Sequence, residues 1–175
     1  PEIRFKGFSG NWEEKKLEAV GEFNPKAELP EVFEYVDLES VVGTQMIAHR
    51  AELKASAPSR AQRLARKGDL FFQTVRPYQK NNHLFTLSYE NYVFSTGYAQ
   101  IRPFNDGSFL LGLMQCDQFL KVVLDNCTGT SYPAINSNDL AKIIISVPSP
   151  TEQQKIGTYF RKLDALISQH GTQQK

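Results

Sequence analysis

Residues 76–83 combine polar side chains that can bind the edges of nucleic-acid bases. An Arg or Lys side chain pairs with guanine, and the amide of a Gln or Asn pairs with adenine through two hydrogen bonds. The leading expected base contacts are Gln79, Lys80, Asn81 and Asn82, with Arg76 and Tyr78 next. Two alternatives stay open. In the first, the whole stretch is simply a solvent-exposed hairpin loop, because surface loops are generally polar. In the second, Arg76 is a structural ion-pair partner at the end of the strand.

A second polar loop, residues 126–136, is centred on a glycine and carries two hydroxyl groups and a phenol. Gly129 gives backbone freedom. Thr130 and Ser131 can exchange hydrogen bonds, and Tyr132 can stack on a base or contact a phosphate. We expect this loop and residues 78–83 to lie on one DNA-facing side of the domain.

Positive charge is concentrated in residues 50–83. The segment carries eight Lys and Arg residues and two acids, a net charge of +6, so the rest of a chain of net charge +1 carries −5. Such a local concentration is the footprint that an anionic polymer requires. We expect phosphate contacts from Arg60, Arg63, Arg66 and Lys67. The alternative is a solvated surface of a protein-interaction or scaffold domain.

Residues that could support catalysis or bind a metal do not form a recognisable pattern. Of the three histidines, only His49 has a carboxylate, Glu52, at helical spacing, and no further ligand accompanies the pair. Two cysteines form neither a disulfide framework nor a metal set. No glycine-rich nucleotide site is present in the sequence. We therefore expect no catalytic residue, no metal and no cofactor.

Composition favours an ordinary globular chain. Hydrophobic residues make up 41% and charged residues 22% of 175 residues, which fits one domain or one domain with a helical appendage. No apolar run reaches the roughly 20 residues of a membrane span. The cysteine usage predicts a reduced, cytoplasmic setting. The first residue is Pro1, from which we expect that the chain was cut from a longer one.

Strands are predicted to hold the two loops. Residues 70–75 indicate a buried strand, which Arg76 and Pro77 must end because proline cannot donate to a sheet. Further strands are predicted at residues 32–42, 84–87, 92–95, 99–102 and 143–147. An entry segment with a short helix is predicted at residues 8–30, a loop leading into a basic turn or short helix at 56–67, and a helix at 108–124 capped by Asp106 or Ser108.

The C-terminal segment predicts an amphipathic helix. Ser149 to Glu152 form a capping box with Pro150 at the first helical position. Apolar side chains then recur at spacings of four, three and four, a pattern typical of a helix that packs on another helix. They are Ile156, Phe160, Leu163 and Ile167. The alternative is that this stripe packs on its own domain.

Four segments, taken together, carry a family pattern over nearly the whole chain. They are residues 1–17, the Lys67-Gly68-Asp69-Leu70-Phe71 strand start, residues 129–145, and residues 147–167 with Pro148, Glu152, Gln153 and Ile156 in Pro-x-x-x-Glu-Gln-x-x-Ile spacing. In this order they resemble a target-recognition domain of the specificity subunit of type I restriction–modification systems. Pro150 departs from the pattern, because the family more often has an apolar residue there.

The resemblance implies a fold and a set of partners. The expected fold is α+β, with a twisted β-rich recognition domain at residues 1–148 and, at 149–175, the start of a conserved coiled-coil helix. The expected function is sequence-specific binding of double-stranded DNA, one half of a split target, without chemistry of its own. The implied partners are the methyltransferase (M) subunits, through them the restriction (R) subunit, and a second conserved helix in the same chain or in a dimer.

Overall fold

The computed structural model describes the backbone of residues 3–172 and the side chains of residues 3–169. The described residues form twelve strands, four α-helices and three short 3-10 turns. The strands are β1 (Glu13–Lys16), β2 (Gly21–Phe23), β3 (Val32–Val36), β4 (Val41–Val42), β5 (Gln45–Met46), β6 (Arg50–Leu53), β7 (Ala61–Leu64), β8 (Leu70–Gln73), β9 (His83–Leu84), β10 (Tyr92–Ser95), β11 (Tyr98–Pro103) and β12 (Ile144–Val147). The helices are α1 (Gly107–Met114), α2 (Asp117–Asp125), α3 (Ser137–Ala141) and α4 (Pro150–Thr172), and the turns are Leu17–Ala19, Lys54–Ser56 and Pro77–Gln79.

Two four-stranded sheets form the centre of the fold. One has the order β2-β11-β8-β9 and is antiparallel throughout. The other has the order β6-β3-β10-β7, in which β10 runs parallel to β3 and antiparallel to β7. Two small antiparallel pairs, β1-β12 and β4-β5, lie beside them. The α+β fold expected from the sequence is confirmed.

Strand β8 is buried on both faces, as its sequence predicts. Successive side chains of a strand point to opposite faces. Leu70 and Phe72 accordingly pack with the helices in one cluster, whereas Phe71 joins a second cluster toward the other sheet. There its ring stacks on Phe94 with the centroids 3.7 Å apart. β8 is therefore a rigid support for whatever follows Gln73.

The turn before β8 is held by a buried carboxylate. Asp69 accepts from the backbone N–H of Arg66 at 2.8 Å and from the Gln100 amide at 2.7 Å, and it forms an ion pair with Arg102. Hydrogen bonding to Asp69 raises the pKa of Arg102. The neighbouring Gly68 has a φ of 95°, a conformation that glycine adopts without strain. The Gly-Asp pair of the sequence pattern is thus structural.

One predicted local structure, at residues 56–67, is wrong. Residues 56–67 contain strand β7, whose Leu64 lies opposite Val93 of β10, where a loop leading into a turn or helix was expected. The entry segment, residues 8–30, contains the short 3-10 turn Leu17–Ala19, which follows strand β1, and β1 pairs with β12. Local propensity favoured a turn or helix at residues 56–67. The backbone hydrogen bonds offered by a neighbouring strand outweighed it.

The predicted helix at residues 108–124 is two helices. α1 begins after Asp106, whose carboxylate accepts from the backbone N–H of Phe109 at 2.9 Å, as the expected cap. It ends at Met114, and α2 begins at Asp117. The intervening Gln115 points its side chain to the loop after β8. The strand predicted at 84–87 is reduced to β9.

The last helix begins where the sequence predicts. The Ser149 hydroxyl accepts from the backbone N–H of Glu152 at 3.3 Å, which is one half of the expected capping box. The Glu152 carboxylate instead binds the Arg4 guanidinium, with Nε to Oε1 at 2.9 Å. This pair fastens the N-terminal segment to α4.

Candidate nucleic-acid interface

The loop after β8 and the loop around Gly129 are joined by backbone hydrogen bonds. Ile135 donates to the Thr74 carbonyl at 3.0 Å, and Arg76 donates to the Pro133 carbonyl at 2.8 Å. Val75 and Ala134 form an isolated antiparallel bridge between these bonds. The structure thus brings residues 76–82 and 129–133 to one end of β8.

Strained backbone marks the first loop. Arg76 has a φ of 54° and Lys80 a φ of 53°, on either side of the Pro77–Gln79 turn. Non-glycine residues in this region cost on the order of 1–3 kcal/mol and cluster at functional sites. The conformation is held by internal bonds, because Gln73 donates its amide both to the Val75 carbonyl at 2.6 Å and to the Gln79 side chain at 2.8 Å.

Asn82 does not face solvent, which does not favour its expected role as a base contact. It is 1% exposed. Its Oδ1 accepts from the backbone N–H of Gln73 at 2.9 Å, and its Nδ2 donates to Gln115 Oε1 at 2.7 Å. Sequence reasoning counted its amide as available because a polar residue in a polar loop gives no sign of burial.

Two other expected base contacts are partly engaged within the protein. Lys80 forms an ion pair with Asp117 and donates to the Gln115 carbonyl at 2.9 Å. The ion pair lowers the pKa of the Asp117 carboxyl. Asn81 accepts through Oδ1 from the backbone N–H of Gly43 at 2.9 Å. Neither side chain can offer its full hydrogen-bonding capacity to a base.

The remaining loop side chains are exposed. They are Tyr78, Gln79, Thr130, Ser131 and Tyr132. Tyr132 is 71% exposed, and the Arg76 guanidinium lies 6.0 Å from the centroid of its ring. An exposed aromatic ring beside a cation is suited to stacking on bases and to phosphate contact.

The basic residues form two groups. Arg60 belongs to the loop end, because its carbonyl accepts from Thr96 at 2.8 Å and the adjoining Gly97 carbonyl accepts from Thr74 at 2.9 Å. Arg66 and Lys67 lie at the opposite end of β8, beside Asp69. At about 3.3 Å per residue, residues 69 and 74 are about 16 Å apart. The basic segment is therefore not one continuous patch.

These cations differ from others nearby in having no acidic partner. Among the described residues, Arg50 pairs with Asp37 and Glu52, and Lys54 with Glu28 and Glu31. In the same part of the structure no ion pair involves Arg60, Arg63, Arg66, Lys67 or Arg76. Arg63 is half-buried, and its desolvation lowers its pKa. Such charges are available to an external anion.

The hairpin of β4 and β5 lies beside the loop that follows β8. Asn81 and His83 bind its turn, at Gly43 N–H and at the Thr44 carbonyl. A glycine between short apolar pairs is the sign of this hairpin in the sequence. The contacts of the hairpin, however, join residues about forty positions apart, as residues 43 and 81 are. Local patterns do not report such contacts.

The apolar stripe of α4 divides between two environments. Ile156 packs against the helix-side core cluster, and the Phe160 ring lies against Gly112 of α1. Leu163 is half-buried, and Ile167 is 68% exposed. The expectation of a helix–helix surface therefore does not extend to Ile156, which packs within its own domain.

Neither a metal cluster nor a membrane span was found in the described part of the chain. Over these residues, no group of three His, Cys, Asp or Glu side chains is placed to hold an ion. No helix among them is long and apolar enough to cross a bilayer.

Comparison with known proteins identifies a family and a relative. A family model described as the type I restriction modification DNA specificity domain matches residues 60–175. The chain is 26% identical over 116 residues to the type I restriction enzyme HindI specificity subunit of Haemophilus influenzae, covering 63% of this chain and 25% of that protein.

Solved structures extend the likeness to the fold. A chain reported for the complex assembly and conformational transition of the type I R-M system matches 92% of this chain and 43% of its own length, with a TM-score of 0.76 and 30% identity. The match to the HsdS subunit from Thermoanaerobacter tengcongensis covers 94% of this chain and 44% of that subunit, with a TM-score of 0.73 and 30% identity. The S subunit from M. genitalium shares the fold, with a TM-score of 0.65 and 12% identity. The match covers 98% of this chain and 44% of that subunit.

This chain spans about a quarter of the curated relative and less than half of each solved chain. The family match covers more than half of this chain, from β7 through α4. The chain belongs to the type I restriction modification DNA specificity domain family.

Proposed function

We propose that this chain binds double-stranded DNA sequence-specifically and reads one half of a bipartite target for a type I restriction–modification complex, with no chemistry of its own. The observation that carries the proposal is the joining of two polar loops at one end of β8 beside unpaired cations. Arg76 and Arg60 stand at that end. Loops on a rigid strand are the usual carriers of binding residues.

The division of roles follows from accessibility. Tyr78, Gln79, Thr130, Ser131 and Tyr132 are the proposed base or sugar–phosphate contacts. Arg60, Arg63 and Arg76 are the proposed phosphate contacts close to the loops. Arg66 and Lys67 would meet phosphates about five base pairs away, because about 16 Å corresponds to about five steps of 3.4 Å. Lys80 and Asn81 act mainly through the protein contacts already described.

The C-terminal helix supplies the proposed link to other subunits. We propose residues 1–148 as the recognition domain and 149–175 as the start of the conserved helix. Leu163 and Ile167, with the exposed part of Phe160, would face a second conserved helix in the same chain or in a dimer. The proposed partners beyond it are the M subunits and, through them, the R subunit. Reading cellular DNA would require a cytoplasmic location.

The test uses the intact complex that contains this chain. Its recognition sequence is first mapped from methylation sites in cells, and each Ala variant is then bound to cognate and scrambled duplexes at two salt concentrations. A base contact should cost roughly 1–3 kcal/mol on the cognate duplex and much less on the scrambled one. A phosphate contact should weaken both and lower the salt slope by about 0.9.

Lys54→Ala is the matched control, because this lysine of the basic segment is already paired with acids. It should leave the slope nearly unchanged, whereas Arg60→Ala should lower it. The Arg66→Ala, Lys67→Ala double variant should matter only on duplexes extending about five base pairs beyond the half-site. A wild-type complex that does not distinguish cognate from scrambled DNA would favour the scaffold alternative.

A further inference from the structure

The hairpin of β4 and β5 is a two-stranded ribbon that stands outside both large sheets. Val41 pairs with Met46 and Val42 with Gln45, and among the described residues these strands pair only with each other. Gly43 begins the two-residue turn with a φ of 62°, which suits glycine at the first position of a tight hairpin turn.

The inner face of this ribbon fixes it to the fold. Val41 is fully buried, and both Val41 and Met46 pack in the cluster between the sheets. At the base, Ile47 donates to the Ser40 carbonyl at 2.8 Å, and the Ser40 hydroxyl donates to Asp37 Oδ1 at 2.9 Å. The ribbon is therefore anchored by packing and by hydrogen bonds.

The turn of the ribbon is tied to the loop that follows β8. Asn81 Oδ1 accepts from the Gly43 N–H at 2.9 Å. On the other side of the turn, His83 Nδ1 lies 2.9 Å from the Thr44 carbonyl, to which it can donate. The His83 ring also lies nearly parallel to Phe94, with centroids 6.1 Å apart. Two residues of the candidate interface thus position the ribbon.

The outer face of the ribbon presents one apolar and one amide side chain. Because residues opposite each other in register share a face, Val42 and Gln45 project together. Val42 is 58% exposed, and Gln45 is also exposed. Residues 40–48 contain no charged side chain. Thr44 and Gln45 line a cleft together with Arg161 and Asp164 of α4, so one cation and one acid lie near this end of the ribbon. Among the described residues no ion pair involves Arg76, which belongs to the loop that Asn81 ties to the ribbon.

We propose that this ribbon enters the DNA major groove and reads either one A·T base pair or two adjacent A·T base pairs. The major groove admits a two-stranded β-ribbon, an apolar side chain there contacts the thymine methyl group, and a Gln amide binds adenine N6 and N7. Val42 contacts the methyl group and Gln45 binds the adenine. Asn81 and His83 are positioning residues that hold the ribbon. The inference rests on the proposed function.

The test replaces single atoms of the DNA. With the intact complex and its mapped recognition sequence, each thymine of the half-site is replaced by uracil and each adenine by 7-deazaadenine. Wild type should lose about fourfold in affinity at one uracil, the worth of one buried methyl group. Val42→Ala should be insensitive to that same uracil. Gln45→Ala should lose roughly 5- to 150-fold on the cognate duplex and become insensitive to one 7-deazaadenine.

Val32→Ala is the matched control, since Val32 is 56% exposed and lies on β3. It should retain the wild-type response to both replacements. For the positioning role, Asn81→Ala should reduce the cognate-to-scrambled ratio. Asn81→Asp keeps the acceptor for Gly43 and should preserve this ratio, although its charge lowers affinity for all DNA.

The outcomes separate this inference from the proposed function. If wild type discriminates its target but Val42→Ala and Gln45→Ala keep full affinity and sensitivity to both replaced bases, the ribbon does not read DNA and the proposed function stands. If the variants weaken binding equally on cognate and scrambled duplexes, the base contacts are likewise refuted. A wild-type complex without discrimination refutes the proposed function itself.

Discussion

The guanidinium of Arg76 lies 6.0 Å from the centroid of the Tyr132 ring, and the two residues come from different loops. The adjoining backbone bond from Arg76 N–H to the Pro133 carbonyl, at 2.8 Å, makes this contact part of a fixed framework. It also explains how Arg76 holds a φ of 54° without glycine. A cation and an aromatic ring are thereby presented together at the end of β8.

Arg76→Gly should separate binding from folding. Glycine adopts a positive φ without strain, so the free energy of unfolding should be unchanged or higher by about 1 kcal/mol. Affinity for DNA should fall, because a phosphate contact and the partner of Tyr132 are lost. Chemical denaturation and duplex binding measure the two effects. Arg76→Lys is the control, because it keeps the positive charge and the strained backbone. A large loss of stability in Arg76→Gly would show instead that Arg76 is a structural residue.

Asn82→Ala should destabilise the fold by about 1–3 kcal/mol, because the buried backbone N–H of Gln73 loses its acceptor and Gln115 Oε1 loses its donor. Asn81→Ala is the neighbouring control, and its bond to Gly43 is exposed. Denaturant titration of both variants makes the comparison. Equal stability of the two variants would contradict the structural role of Asn82.

Ile156→Ala and Ile167→Ala should act on different properties. Ile156 packs against the core, so its truncation should cost about 1–2 kcal/mol of stability. Ile167 is exposed, so its truncation should stay within about 0.5 kcal/mol of wild type. Size-exclusion chromatography of the complex should show weaker assembly only for Ile167→Ala. Normal assembly of an Ile167→Lys variant would remove this face from the interface.

Acidification should weaken the attachment of the N-terminal segment to α4. The hydrogen bond from Arg4 holds the pKa of Glu152 below its usual value of 4.5. A lowered pKa in the folded state gives stability that is present above the usual value and is lost as the pH falls through the folded value. Below about pH 4.5 the melting temperature of Glu152→Gln should therefore fall less steeply than that of wild type. The exposed Glu14→Gln should follow wild type.

Strongly patterned segments were predictable because their own side chains contain the information. The run from Leu70 to Gln73 is apolar enough to be buried on both faces, and it became β8. Asp106 and Ser149 are capping types at the right distance from the first helical turn, and both caps form. The concentration of basic residues and the exposed polar loops were likewise visible as composition.

The sequence by itself determined the buried strand, the starts of α1 and α4 and which residue types could meet DNA. Only the tertiary structure decided which of those residues are accessible. Asn81 and Asn82 are adjacent and chemically identical, yet one holds the turn of the β4–β5 hairpin and the other is buried against Gln115. The burial and the hydrogen-bond partners of Asn81 and Asn82 depend on residues 43 and 115, which lie about thirty to forty positions away along the chain. No local pattern of spacing contains those contacts.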